Sequence, residues 1–298
     1  MGGTGFLSVV IQQVVNGISL GAVYALIAVG FALVFNVLKF SNFSHGGVIG
    51  ISAYIGYLGA LYLHLPLIPT LLLGTLAGGL VACVVEVLAF RSIRKKRGQL
   101  VYFFVTSVTM LMLLEQVLVI FFGASFFTYP ALIKTTYFTV GGVSISILYI
   151  LMMVCAALAF GTLAWALRYT RVGIAIRAAS NDLTTTNLMG VNVDFIVTAT
   201  FFVSGLLAGL SGVLLGMAYT LYPQIGQLVV KGFIASVLGG LGSLTGAAMG
   251  ALALGIVEVL LISVMGAGLS PAVIFVIMVV FLLVRPQGFA GVSFKEKA

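Results

Sequence analysis

The chain alternates between long apolar runs and short polar breaks. The runs lie at approximately 7–38, 43–63, 66–90, 100–123, 143–168, 195–220, 225–239, 245–265 and 270–284. They are rich in Leu, Ala and Gly and do not alternate in and out as barrel strands do, so each predicts a helix. A helix needs about 20 apolar residues to cross a bilayer core. Its backbone must also satisfy its own hydrogen bonds there. The pattern predicts an all-α polytopic membrane protein with about eight to nine transmembrane segments, read as a single transmembrane domain over 1–298.

Some of these runs are irregular. The second opens on SNFSHGG (41–47), with polar groups and two glycines where apolar residues should begin. The stretch LGGLGSLTG (238–246) breaks the apolar pattern again. Glycine lowers helix stability by roughly 1 kcal/mol relative to alanine. The run before it, 225–239, is short and contains Lys231. A broken or re-entrant helix is expected in each half, and the count falls from nine to eight if 225–239 is merged or re-entrant. Gln12, Gln13 and Asn16 sit early in the first run. A span over 17–38 preceded by a surface helix accommodates them.

Gly-rich breaks in both halves point to a transport path. The candidates for the translocation region are Asn42, Ser44, His45 and Gly46 in the first half. In the second they are Gly239, Gly240, Gly242 and Ser243. The same glycines also fit tight helix packing, which needs no ligand. Asn42 and His45 are harder to absorb that way, because polar groups inside a membrane are costly.

Composition sharpens the class. Of 298 residues, 62% are hydrophobic and 7% charged, against about 25% charged in soluble domains. That excludes a water-exposed globular enzyme and a disordered chain. The net charge of +8 reports topology. Arg91, Arg94, Lys95, Lys96 and Arg97 form one cluster; Arg168, Arg171 and Arg177 a second; Arg285, Lys295 and Lys297 a third. All flank apolar runs, the positive-inside pattern, so these segments and the C-terminus are expected in the cytoplasm. No aromatic-interleaved basic stripe speaks for nucleic acid.

Glu86, Glu115 and Glu258 lie within apolar runs. Intramembrane acids are functional candidates by default; a structural ion pair or hydrogen bond explains each equally well. The loop RYTRVGIAIRAASNDLTTTNLMGVNVD (168–194) is long and basic, with an amphipathic stretch around 174–190 that Gly190 could end. Such a cytoplasmic helix either presses on a soluble partner or rests on headgroups. Cys83 and Cys155 read as buried hydrophobes, and no metal spacing or disulfide framework exists. The N-terminus MGGTGF lacks a basic n-region, so the first apolar segment is expected to be retained. No GxxxxGK[ST] loop, HExxH or nucleophile elbow occurs, so no catalytic centre is predicted.

These residues resemble the permease subunits of branched-chain amino acid ABC importers. NGISLGAVYALIAVGFALVFNVLKFSNFSHGG (16–47) is similar to their opening, and SNFSHGG to their NFAHGE signature. Glu86 with Arg91 and Arg94, RAASNDLTTTNLMGVNVD (177–194), VLGGLGSLTGAAMGALALGIVEVL (237–260) and VRPQGFAG (284–291) match further motifs in order. The fit is closest to the H-type member of the Liv pair. The acid expected after His-Gly is Gly47 here, and the family also includes importers of urea, short amides and other small acids. The resemblance implies a multi-pass subunit of the bacterial inner (cytoplasmic) membrane without a cofactor of its own. Two ABC ATPase subunits would bind the ATP, beside a second related permease and a periplasmic or extracellular solute-binding protein. Arg177, Ala178, Ala179, Ser180, Asn181, Asp182, Leu188 and Gly190 would couple to the ATPases. A proton- or sodium-driven secondary transporter is the alternative from another class.

Overall fold

The computed structural model describes residues 3–96, 98–133, 136–140, 143–285 and 287–290. Arg97, Lys295 and Lys297, with Pro286 and Gly291 of the 284–291 motif, lie outside the described residues. The helices are α1 (Gly3–Leu38), α2 (Ser44–Tyr62), α3 (Leu67–Val85), α4 (Arg91–Lys95), α5 (Leu100–Phe122) and α6 (Ile147–Tyr169). They continue with α7 (Arg171–Asn181), α8 (Leu183–Leu188), α9 (Val193–Ala218), α10 (Val229–Gly239), α11 (Leu244–Met265) and α12 (Ser270–Val284). A π-helical turn (Glu86–Phe90) joins α3 to α4, and a 3-10 turn (Pro223–Leu228) leads into α10.

Among the described residues, six helical stretches are long and apolar enough to cross a membrane: Ser8–Leu38, Leu67–Lys95, Leu100–Phe122, Ile147–Tyr169, Val193–Ala218 and Leu244–Met265. The 19-residue α2, the 3-10 turn with α10, and the 15-residue α12 make up the other three runs.

Three expectations change. The first run is one uninterrupted helix, with no separate surface helix before 17. Gln12 needs no break, because its Nε2 donates to Asn16 Oδ1 (3.0 Å) and to Ser144 O (2.8 Å), and its Oε1 accepts from Ser144 N (2.7 Å). The run 143–168 begins as a strand: β1 (Tyr137–Val140) and β2 (Val143–Ser146) pair antiparallel, and Ser146 then caps α6 by accepting from Leu148 N. The amphipathic stretch 174–190 is two helices, α7 and α8, divided at Asp182.

Small residues set the packing. Gly17 and Gly21 of α1 bring its backbone against Leu252, Gly255 and Ile256 of α11. Gly74 and Gly78 of α3 do the same against Gly205 and Gly209 of α9. Close backbone approach through small residues supplies helix association where lipid offers no hydrophobic drive. The contact scheme has an internal symmetry. α1 pairs with α11 as α9 pairs with α3; α2 lies on α9 and α3 as α10 lies on α1 and α11. Exchanging α1, α2 and α3 for α9, α10 and α11 reproduces it. α1 runs toward the end of the molecule that carries Arg91–Lys95, while α9 runs away from it, so the two halves are inverted repeats.

Candidate functional site

The symmetry places two helix starts in the interior. After α1, Lys39 takes a left-handed turn (φ 58°). Phe40–Phe43 then leads back among the helices, with Phe40 and Asn42 buried. α2 opens with Ser44 Oγ donating to Asn42 Oδ1 at 2.5 Å. Next, His45 Nδ1 stands 3.2 Å from Ser204 Oγ, near the middle of α9. Ser204 Oγ also lies within hydrogen-bond reach of Gly30 O (2.8 Å), so one hydroxyl links α2 to α1. The buried His45 Nε2 has no partner among the described residues and faces Gly30 of α1. Gly30 lies about 12 Å before the end of α1, at 1.5 Å per residue. α2 therefore starts halfway along α9.

The 3-10 turn starts at the same depth. Gly226 meets Gly46 backbone to backbone, and a Cβ on either would strike the other's carbonyl oxygen. From this junction α2 runs to the end bearing the β-hairpin, and α10 runs toward the basic end. The structure thus pairs Gly46 with Gly226 and not with 239–243. Gly239 packs instead on Gly246 and Gly250. Gly240 (φ 102°) and Gly242 (φ 98°) form the turn between α10 and α11, where a left-handed backbone favours glycine. Ser243 caps α11 by accepting from Gly246 N at 3.0 Å. Residues 287–290 tie into this turn, with Phe289 N donating to Leu238 O and Ala290 N to Gly239 O.

Gly47 lies against α5, where a Cβ would come within 2.8 Å of Leu114 Cβ. No side chain fits there unless α5 gives way. The acid of this junction is Glu115, next to Leu114, whose Oε2 accepts from Gln227 Nε2 at 3.5 Å. Glu86 is wholly buried and holds Arg91 and Arg94. Glu258 pairs with Lys231, 27 residues earlier on α10, and Lys231 Nζ also donates to Tyr24 OH at 2.9 Å.

Two adjoining cavities run from the hairpin end toward the junction. The outer one, about 220 Å³, is lined by Gln13, Asn16 and Tyr149. The inner one, about 530 Å³, is lined by Tyr24, Phe126, Tyr222, Lys231 and Glu258. Tyr219 and Ile262 line both. The sequence candidates for the translocation region line neither cavity.

At the basic end, α7 buries Gly173, Ile176 and Ala179 and exposes Arg177, Ala178 and Asn181, while Ser180 is half-buried. Asp182 Oδ1 accepts from Thr184 N (2.7 Å) and Thr185 N (3.3 Å), and Oδ2 from Thr185 Oγ1 (2.6 Å). The Thr185 hydroxyl, aided by the two amides, holds the Asp182 carboxyl below its ordinary range. α8 ends in Leu188 and Met189, 81% and 79% exposed, before Gly190 (φ 82°) turns the chain back.

The sequence family described as branched-chain amino acid transport system / permease component matches residues 13–282. This chain belongs to that family. A similar protein is the high-affinity branched-chain amino acid transport system permease protein BraD of Pseudomonas aeruginosa, 33% identical over 96% of this chain and 97% of its own length. Another is LivH of Escherichia coli, 32% identical over the same shares. A probable LivH of Methanocaldococcus jannaschii is 34% identical over 43% of each chain. No solved structure matches. The permease is a multi-pass membrane protein and a component of a transport system. Sequence reasoning about it missed Tyr24, Gly226 and Met189, and noted Lys231 only as an irregularity of a short run. A single base in one apolar run and a single acid in the next was the available signal for Lys231 with Glu258.

Proposed function

We infer that this permease forms half of the membrane path of an ATP-binding-cassette importer for branched-chain amino acids. A second related permease supplies the other half, two ATPase subunits bind and hydrolyse ATP beneath them, and a solute-binding protein delivers substrate from outside. The chain itself catalyses no bond chemistry. It lies in the bacterial inner membrane with α7, α8 and the C-terminus in the cytoplasm, as the positive-inside bias of the basic clusters supports.

The α7–α8 projection is the observation that carries this reading. Two short helices, fixed at their bend by Asp182, hold out an apolar tip that nothing among the described residues covers. An exposed apolar tip between polar residues fits a protein groove. Asn42, Ser44, His45 and Gly46 would act at the half-helix junction, where substrate paths of inverted-repeat transporters lie. The turn of Gly239, Gly240, Gly242 and Ser243 would pivot α10 against α11. Reconstitution tests the whole: leucine uptake into proteoliposomes should require ATP, both ATPases, the second permease and the binding protein. Uptake by this chain alone, driven by protons or sodium, would make it a secondary transporter.

Asp182→Ala should leave the complex assembled and lower ATP-coupled uptake by about tenfold. Normal uptake by this variant would count against docking through α8. The cap should be complete above the ordinary carboxylate pKa of about 3.9 and be lost as pH falls through the lowered value, because the folded state favours the charged form.

A further inference from the structure

The inner cavity contains a charge arrangement that the importer reading leaves unused. Lys231 and Glu258 form an ion pair on its wall, with Tyr24 OH accepting from Lys231 and donating to Glu258 Oε1 (3.3 Å). Tyr24 and Glu258 are almost fully buried, yet the Lys231 side chain is 25% exposed. Lys231 Nζ has three protons and two partners, Tyr24 and Glu258. Glu258 has two oxygens, and its Oε2 has no hydrogen-bond partner among the described residues. One donor facing the cavity and one buried acceptor are thus left over on the same ion pair. An unmet acceptor there costs free energy unless a ligand meets it.

Apart from Thr220, the rest of the wall is apolar or aromatic: Phe126, Ile225, Leu228 and Ile262, with Tyr219 and Tyr222. The volume, about 530 Å³, falls within the roughly 300–1,000 Å³ of small-molecule sites. The cavity sits beside the irregular segment Tyr219–Tyr222, at the approach to the half-helix junction.

We propose that this cavity is a transit site for a zwitterionic amino acid with an apolar side chain. Lys231 receives the carboxylate, Glu258 receives the ammonium, and Phe126, Ile225 and Ile262 face the side chain. The resting ion pair is the closed form: a carboxylate drawing Lys231 aside uncovers Glu258. A neutral amide such as urea has no charge to separate the pair. This rests on the importer reading and adds where in the fold the substrate is held and which side chains contact it.

The test uses the full transporter in proteoliposomes, with radiolabelled leucine. The double variant Lys231→Met with Glu258→Gln removes both charges together, a change that buried pairs often tolerate in stability. It should assemble and lose leucine uptake by at least about tenfold, as loss of charge-assisted contacts requires. Uptake at the wild-type rate would mean that the pair only packs α10 on α11, and would overturn the site. A second variant does not disturb the pair. Thr220→Cys, in a Cys83→Ala, Cys155→Ala background, places a thiol on the cavity wall. Leucine supplied during turnover should slow its alkylation by a charged maleimide, and urea should not. Absence of protection by leucine, or protection by urea instead, overturns the zwitterion site while leaving the importer standing. A wild-type complex without ATP-driven uptake of any solute overturns the importer reading itself.

Discussion

Gly226→Val is expected to abolish transport, and even Gly226→Ala should reduce it by at least about tenfold. Gly226 and Gly46 touch through their backbones, so a new Cβ has no side chain to push aside and must drive the Gly46 carbonyl away. Overpacking of this kind costs typically 1–3 kcal/mol, and here the strain falls on the point where α2 and the 3-10 turn both begin. Gly50 provides the control, one turn further along α2. A Cβ there would meet Leu118 Cδ1 at 3.2 Å and the Pro223 carbonyl at 3.6 Å. The first is the end of a flexible side chain and the second an ordinary contact. Gly50→Ala should therefore transport nearly as the parent does. Uptake by the assembled complex, scaled to its yield on size-exclusion, checks both. Equal rates for Gly226→Ala and the parent would show that the junction tolerates separation.

The helices were legible in the sequence because burial in lipid demands long apolar runs, and those runs are visible by eye. The hairpin was not. VSIS at 143–146 is only four residues long and merges into the apolar start of α6. Gln12 read as a reason to shorten α1, because its partner Ser144 lies 132 residues away. The glycines were legible as packing residues, but composition cannot say which glycine meets which. Gly46 and the 239–243 turn were read as candidates in separate halves, and the contact Gly46 makes is with a glycine inside YPQIGQ (222–227), a stretch without a Gly-rich signature. The break at Asp182 had a readable cause. An Asp followed by Leu-Thr-Thr is an N-cap with donors at the right positions, and such a cap starts a new helix and ends the old one. The acids were half legible. Their cost inside a membrane marked them as paired or functional, and the lone base in the preceding run hinted at a partner for Glu258, but the contact itself follows from α10 folding back along α11.

Glu86→Ala should destabilise the assembled protein more than any other single loss of charge, by about 3–5 kcal/mol, the range for removing one partner of a buried pair. Glu86 is fully buried in the π-helical turn. Arg91 Nη2 lies 3.1 Å from its Oε2, Arg94 Nη2 lies 2.9 Å from its Oε1, and Thr198 Oγ1 donates to Oε2 at 2.8 Å. The cluster ties the end of α3 to the start of α9, beside the rings of Phe90 and Phe201 at 5.4 Å. Without Glu86, Arg94 keeps Asp194 at 2.7 Å, but that acid is 38% exposed and compensates a buried cation less well. Glu86→Gln keeps the shape and can still accept from Thr198, so it should cost less than Glu86→Ala while removing the carboxylate from Arg91 and leaving Arg94 with Asp194. Asp194→Asn should cost least, since its partners retain Glu86 and water. Thermal unfolding of the solubilised complex should order the three as Ala at 86, Gln at 86, then Asn at 194. If Asp194→Asn proved the most damaging, the exposed arm of the network would be the one that holds α3 to α9. The buried carboxylate would then be a bystander, which its three short contacts argue against.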